Sequence, residues 1–154
     1  MLGKKKDKEL AKKKDTSLST KDETGLTNVN YQRDRLYKKG INLMADEKLE
    51  EAVRNFEMIL RADPNDVEAM LKLGYSRFHL EDHSEAMRVY DKILDIDVTN
   101  PEAWNLKSLV NYEKKNYAKA LDCAEKAIDS DPTYGMAWYN KACYLSMLNQ
   151  VPDS

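Results

Sequence analysis

Apolar residues recur along this chain in two alternating groups. Leu36, Gly40 and Leu43 lie four and three residues apart, as one face of a helix requires. A polar stretch, Ala45-Asp46-Glu47-Lys48, separates them from Leu49, Ala52, Val53, Phe56, Ile59 and Leu60, a broad apolar stripe suited to a helix packed on two neighbours. Asp63-Pro64 ends that stripe, because proline cannot continue a helix and restricts the residue before it. The pattern then starts again. Met70, Leu73, Gly74 and Phe78 precede a turn, and Ala86, Met87, Tyr90, Ile93 and Leu94 follow it. Asn100-Pro101 is a strong helix start, a capping residue followed by proline at the first helical position. It introduces Trp104, Leu106, Ser108 and Leu109, and then Tyr117, Ala120, Leu121, Ala124, Ala127 and Ile128.

The recurrence has a fixed period of 34 residues. Gly40, Gly74, Ser108 and Ala142 share one column, and Ala52, Ala86 and Ala120 another. Such a period marks a stacked repeat array in which each helix pair buries its apolar face only against the next. The small residues let the helices of a pair approach closely, and Leu36, Met70, Trp104 and Trp138 fill the space between pairs. Three full repeats are predicted, at about 29–65, 66–99 and 100–133, with a partial one over 134–154. The fourth unit carries Trp138, Ala142 and Leu145 and reaches Ser154 where its second helix should be starting. Leu145 and Leu148 are expected to lack their usual cover, so the chain reads as a fragment of a longer protein or as one whose last helix pairs elsewhere.

Residues 1–27 differ. They hold few large apolar groups, and up to Glu23 they carry eight Lys against five acids. Such a stretch cannot bury enough apolar surface to offset ordering, so a disordered Lys-rich tail is predicted. Lys4–Lys6 and Lys12–Lys14 suggest a basic arm. Interleaved Asp7, Glu9 and Asp15 weaken it, and no aromatic is present there to stack on a base. With net charge −2 over the chain, the body is left acidic, which argues against nucleic acid as a partner.

The chemistry-bearing residues are few. Cys123 and Cys143 have no metal-ligand spacing and read as small apolar packers. His79 and His83 stand four apart, but Glu81-Asp82 puts a turn between them, so no metal site is expected. There is no phosphate loop and no nucleophile motif. Neither enzymatic activity nor a cofactor is expected. No apolar run is long enough to span a membrane and no signal peptide opens the chain, so a cytoplasmic protein is predicted.

The columns Trp104…Ser108, Leu73-Gly74, Ala86…Tyr90 and Ala52…Phe56, closed by Pro64 and Pro132, resemble the tetratricopeptide repeat over Val29–Leu148. Departures are Lys39, Lys107 and Lys141 in place of leucine, Arg77 and Asn111 in place of a tyrosine-like residue, Ala124 in place of an aromatic, and Val98 in place of proline. The resemblance implies an all-α, right-handed α-solenoid of antiparallel helix pairs, three full repeats plus one further helix. It also implies a protein–protein interaction module or scaffold that holds a partner peptide in a concave groove. The first helices place Tyr37, Ile41, Leu71, Tyr75, Phe78, His79, Asn105, Leu109, Tyr112 and Tyr139 on that groove, with Asp34, Met44, Glu68, Glu102, Met136 and Cys143 in the same phases. One member type clamps a terminal carboxylate with cations. Here those phases hold Tyr37, Ile41, Glu68 and Glu102 with Lys72 nearby, so no carboxylate clamp is expected, and the ligand predicted is apolar or aromatic and neutral to basic. The alternative reading is a structural array that self-associates through its C-terminal helix.

Overall fold

In a computed structural model the described residues are 26–150, with side chains from residue 28. The expected Lys-rich tail lies outside them, apart from its last two residues, as does the expected start of a fourth second helix at 151–154. Among the described residues seven helices run in order: α1 (Leu26–Ala45), α2 (Leu49–Ala62), α3 (Val67–His79), α4 (His83–Ile96), α5 (Pro101–Glu113), α6 (Tyr117–Ser130) and α7 (Gly135–Gln150). The chain divides into two units, residues 1–35 and 36–154. Of the first, the structure describes the opening of α1, which is largely exposed and carries an Arg33–Asp34 ion pair of 3.3 Å. The second unit is an all-α solenoid of helix pairs.

The turns repeat as faithfully as the helices. Glu47, Glu81 and Lys115 occupy the left-handed region, with φ near 60° in each case (60°, 62° and 59°). Each ends a first helix with paired backbone bonds that satisfy its last carbonyls, such as Lys48 N to Leu43 O at 2.8 Å and Glu47 N to Met44 O at 3.1 Å. The second kind of turn is built on an aspartate. Asp63, Asp97 and Asp131 each accept a backbone N–H two residues ahead, from Asn65, Thr99 and Thr133 at 2.9–3.0 Å. Asp66 and Asn100 then cap α3 and α5 by accepting from Ala69 and Ala103. Val98, where the family pattern has proline, keeps the same geometry: its carbonyl accepts the Trp104 indole N–H, as the Pro132 carbonyl accepts that of Trp138.

A continuous core runs from Leu43 to Val110 and contains Phe56, Met70, Tyr90 and Ile93, all nearly inaccessible. The close approach predicted at Gly40 and Gly74 is real. A Cβ built on Gly40 would come within 2.6 Å of the Phe56 ring, and one on Gly74 would overlap the ring of Tyr90. Two further clusters continue the array, one around Ala120, Ala124 and Tyr144, the other around Ala127, Ile128 and Ala137 with Trp104 against them.

Several departures from the family pattern form one system. Glu57, Asp91 and Glu125 occupy one column of the second helices. Each binds a cation of the next first helix: Arg77 at 2.8 Å, Lys107 at 2.5 Å and Lys141 at 3.0 Å. Lys107 and Lys141 also lie over the rings of Trp104 and Trp138, which receive their charge favourably. The cations that replace leucine and tyrosine thus join successive pairs by ion pairing.

Candidate functional site

The first helices of the second unit are the latter part of α1, then α3, α5 and α7. Tyr75 (40% exposed) and Tyr139 (68%) present their rings to solvent, and His79 is exposed as well. Tyr37, Ile41, Phe78, Leu109 and Tyr112 are half-buried. Two of the residues expected on the groove are buried instead. Leu71 packs in the core. Asn105 is 3% exposed, and its side-chain oxygen accepts the Asn140 amide N–H at 2.8 Å. A buried amide must find such partners, and this one ties α5 to α7 rather than facing outward.

The remaining residues gather in two places. On α3 the rings of Tyr75 and His79 lie 4.3 Å apart and those of Phe78 and His79 5.3 Å apart. Residues four apart on a helix are neighbours, so the Tyr75–His79 pair follows directly from the spacing. On α5 and α7, Tyr112 and Tyr139 line an open cleft of about 410 Å³ with Ala142, Cys143, Ser146 and Met147. Tyr112 is held from below, its ring 5.7 Å from Tyr117 and 5.4 Å from Tyr144. Tyr37, on α1, is set edge-on to Phe56 at 5.9 Å. Ser146 and Met147 were missed by sequence reasoning; Ser146 stands one period after Tyr112, so the repeat column contained the signal. Glu102, on the first turn of α5, is half-buried.

The titratable groups near these clusters describe packing. Burial pushes the Tyr144 hydroxyl up, against the opposing effect of its hydrogen bond with Ser108. Burial likewise raises the Cys123 thiol, which keeps it protonated and unreactive. Both cysteines are free. His79 and His83 fall on either side of the α3–α4 turn, and His83 packs against Phe78 at 5.4 Å between ring centroids. Among the described residues no three His, Cys, Asp or Glu side chains are grouped to hold a metal, and no helix is long and apolar enough to cross a membrane.

No curated protein matches the chain. Solved structures do, on fold. The first TPR of Spaghetti (RPAP3), bound to the HSP90 peptide SRMEEVD, is 15% identical with a TM-score of 0.71 over 78% of this chain and 95% of that one. The Sgt2 TPR domain from Aspergillus fumigatus is 16% identical with a TM-score of 0.71, covering 79% of this chain and 84% of its own. PcrH, in complex with the chaperone binding region of PopD, is 18% identical with a TM-score of 0.68, covering 76% and 91%. Tetratricopeptide repeat models match residues 43–110, 101–134 and 123–154, which together take in both kinds of turn. The chain belongs to the tetratricopeptide repeat family.

Proposed function

We propose that this chain is a protein-interaction scaffold that grips a segment of a partner protein along its first helices. The observation that carries the reading is the pair of ring clusters: Tyr75, Phe78 and His79 on α3, and the cleft between Tyr112 and Tyr139. Tyrosine gives a large contact area with few rotors and a hydroxyl at its tip, and it is enriched where binding energy concentrates. The half-buried Tyr37, Ile41 and Leu109 are assigned to the same surface, while Leu71 and Asn105 are buried. Structural relatives support the reading, since RPAP3 and PcrH are each seen with a bound peptide or partner region.

The ligand chemistry follows from charge. The HSP90 peptide carried by RPAP3 is acidic. Here the phases that would clamp a carboxylate hold Tyr37, Ile41, Glu68 and Glu102 with Lys72 nearby, and they do not supply the cation cluster that an anion needs. An apolar or aromatic segment, neutral to basic, fits this surface. The test uses the full chain to capture a partner and then compares it with the Tyr75→Ala/Tyr112→Ala variant. Binding should weaken by about tenfold or more, the loss of at least one hot-spot residue, with circular dichroism unchanged. Undiminished binding by a folded variant would contradict the proposal.

A further inference from the structure

Trp104, Lys107 and Asn111 lie three and four residues apart on α5, on the face away from Glu102, Asn105, Leu109 and Tyr112. On that face, between α4 and α6, is an open notch of about 420 Å³. Met87 and Asp91 line it from α4, and Lys119, Asp122, Cys123 and Lys126 from α6. The array continues on both sides of it, through α2 and α3 before and α7 after. The acids of the notch are matched within its walls, Asp91 by Lys107 at 2.5 Å and Asp122 by Lys126 at 2.8 Å. Lys119 is exposed and has no ion pair among the described residues.

The second pair shows how such a corner is closed from within. One period before Asn111 stands Arg77, which reaches Glu57 of α2 at 2.8 Å and Asp82 at 3.4 Å. Glu85 follows on the first turn of α4. One period on, Arg77, Asp82 and Glu85 become Asn111, Asn116 and Lys119. A cation beside two acids is replaced by two amides and a cation, so the corner changes sign. Asn111 does not cross to α4. Its amide donates to the Lys107 carbonyl of its own helix at 3.0 Å and to the Cys123 sulfur at 3.8 Å. The third pair thus lacks the internal side chain that fills this corner in the second, and the charge left facing the gap is positive. We propose that the notch receives an acidic side chain of a partner protein. Its carboxylate pairs with Lys119, and its stem occupies, beside Met87, the space that the Arg77 side chain fills one repeat earlier. The Lys-rich stretch up to Glu23, with eight Lys against five acids, has the wrong sign for this role. The array then presents an acid-accepting face opposite the first-helix surface, whose proposed ligand is neutral to basic.

The probes are the blocked tripeptide acetyl-Leu-Glu-Leu-amide and its glutamine counterpart, each titrated by NMR against the isotopically labelled 154-residue chain. The glutamate peptide should shift the Asn111 side-chain amide and the backbone amides of residues 119–126 saturably. The glutamine peptide should bind about threefold more weakly, the scale of an exposed ion pair. Asn111→Arg, which restores an internal filler, should remove the shifts. Lys119→Glu, at an exposed position that the fold does not depend on, should reverse the preference in favour of acetyl-Leu-Lys-Leu-amide. The proposal is overturned if the glutamate and glutamine peptides bind alike, if the shifts fall on Tyr75 and Tyr112 instead of the notch, or if a folded Asn111→Arg or Lys119→Glu chain binds as the native one does. Sodium acetate that shifts the same amides as tightly as the peptide would overturn it by making the notch a site for free anions. A chain dimer seen by light scattering and dissociated by Lys119→Glu would overturn it by placing a second copy there.

Discussion

The second and third helix pairs solve one packing problem in two ways. In the second, Tyr90 reaches from α4 to lie under Gly74, and the next first helix contributes Val110, itself buried. In the third, α6 offers only Ala124, and the ring comes from the next first helix as Tyr144, one period after Val110. The first pair follows the second, with Phe56 under Gly40 and Ser76 at the Val110 position. The aromatic volume between pairs is kept while its donor changes, as expected for interiors packed to near-crystalline density. The polar consequences differ. Tyr144 shares a hydrogen bond of 2.9 Å with the Ser108 hydroxyl, whereas the Tyr90 hydroxyl is buried without a protein partner.

Removing either ring should have the largest effect. Tyr90→Ala and Tyr144→Ala each empty a fully buried site and should cost about 3–5 kcal/mol, read by denaturant unfolding. A smaller cost for Tyr144→Ala would mean that α7 frays independently of the array. Adding a methyl group should separate the pairs. Gly74→Ala forces the Tyr90 ring to shift and should cost about 1–3 kcal/mol. Ser108→Ala only strips two hydrogen bonds, to the Asn105 carbonyl and the Tyr144 hydroxyl, and should cost about 1 kcal/mol. Removing a hydroxyl should give the smallest effects, of opposite sign. Tyr90→Phe relieves an orphaned group and should be neutral or stabilising by up to about 1 kcal/mol, while Tyr144→Phe should destabilise by about the same amount. Melting temperatures of the two variants against the native chain decide this.

The same contrast shows what was legible in the sequence. The 34-residue period, the small columns and the Asp-based turns are local and repeat in phase, so the helices and their pairing could be read directly. Ala124 was visible as a departure, but its compensation by Tyr144 was not, because that residue lies outside the repeat's recurrent columns. The cations at Arg77, Lys107 and Lys141 stand out in the sequence only as departures; their pairing depends on the acid column one helix earlier. On the candidate site, ring spacing located Tyr75, Phe78 and His79. Phase alone could not separate the exposed Tyr139 from the buried Asn105, since that depends on the neighbouring helix, where Asn140 waits to bond it. The left-handed residues Glu47, Glu81 and Lys115 gave no composition signal, because none is glycine or asparagine.

The ring between successive pairs can come from either helix. A double-mutant cycle on Tyr90→Ala and Val110→Tyr, followed by urea unfolding, tests it most directly. Alone, the first leaves a cavity and the second overpacks the same space; together they reproduce the Ala124–Tyr144 arrangement. The double variant should be more stable than the sum of the singles by at least about 1.5 kcal/mol, within the range of coupling between residues in contact. Additive losses would contradict it.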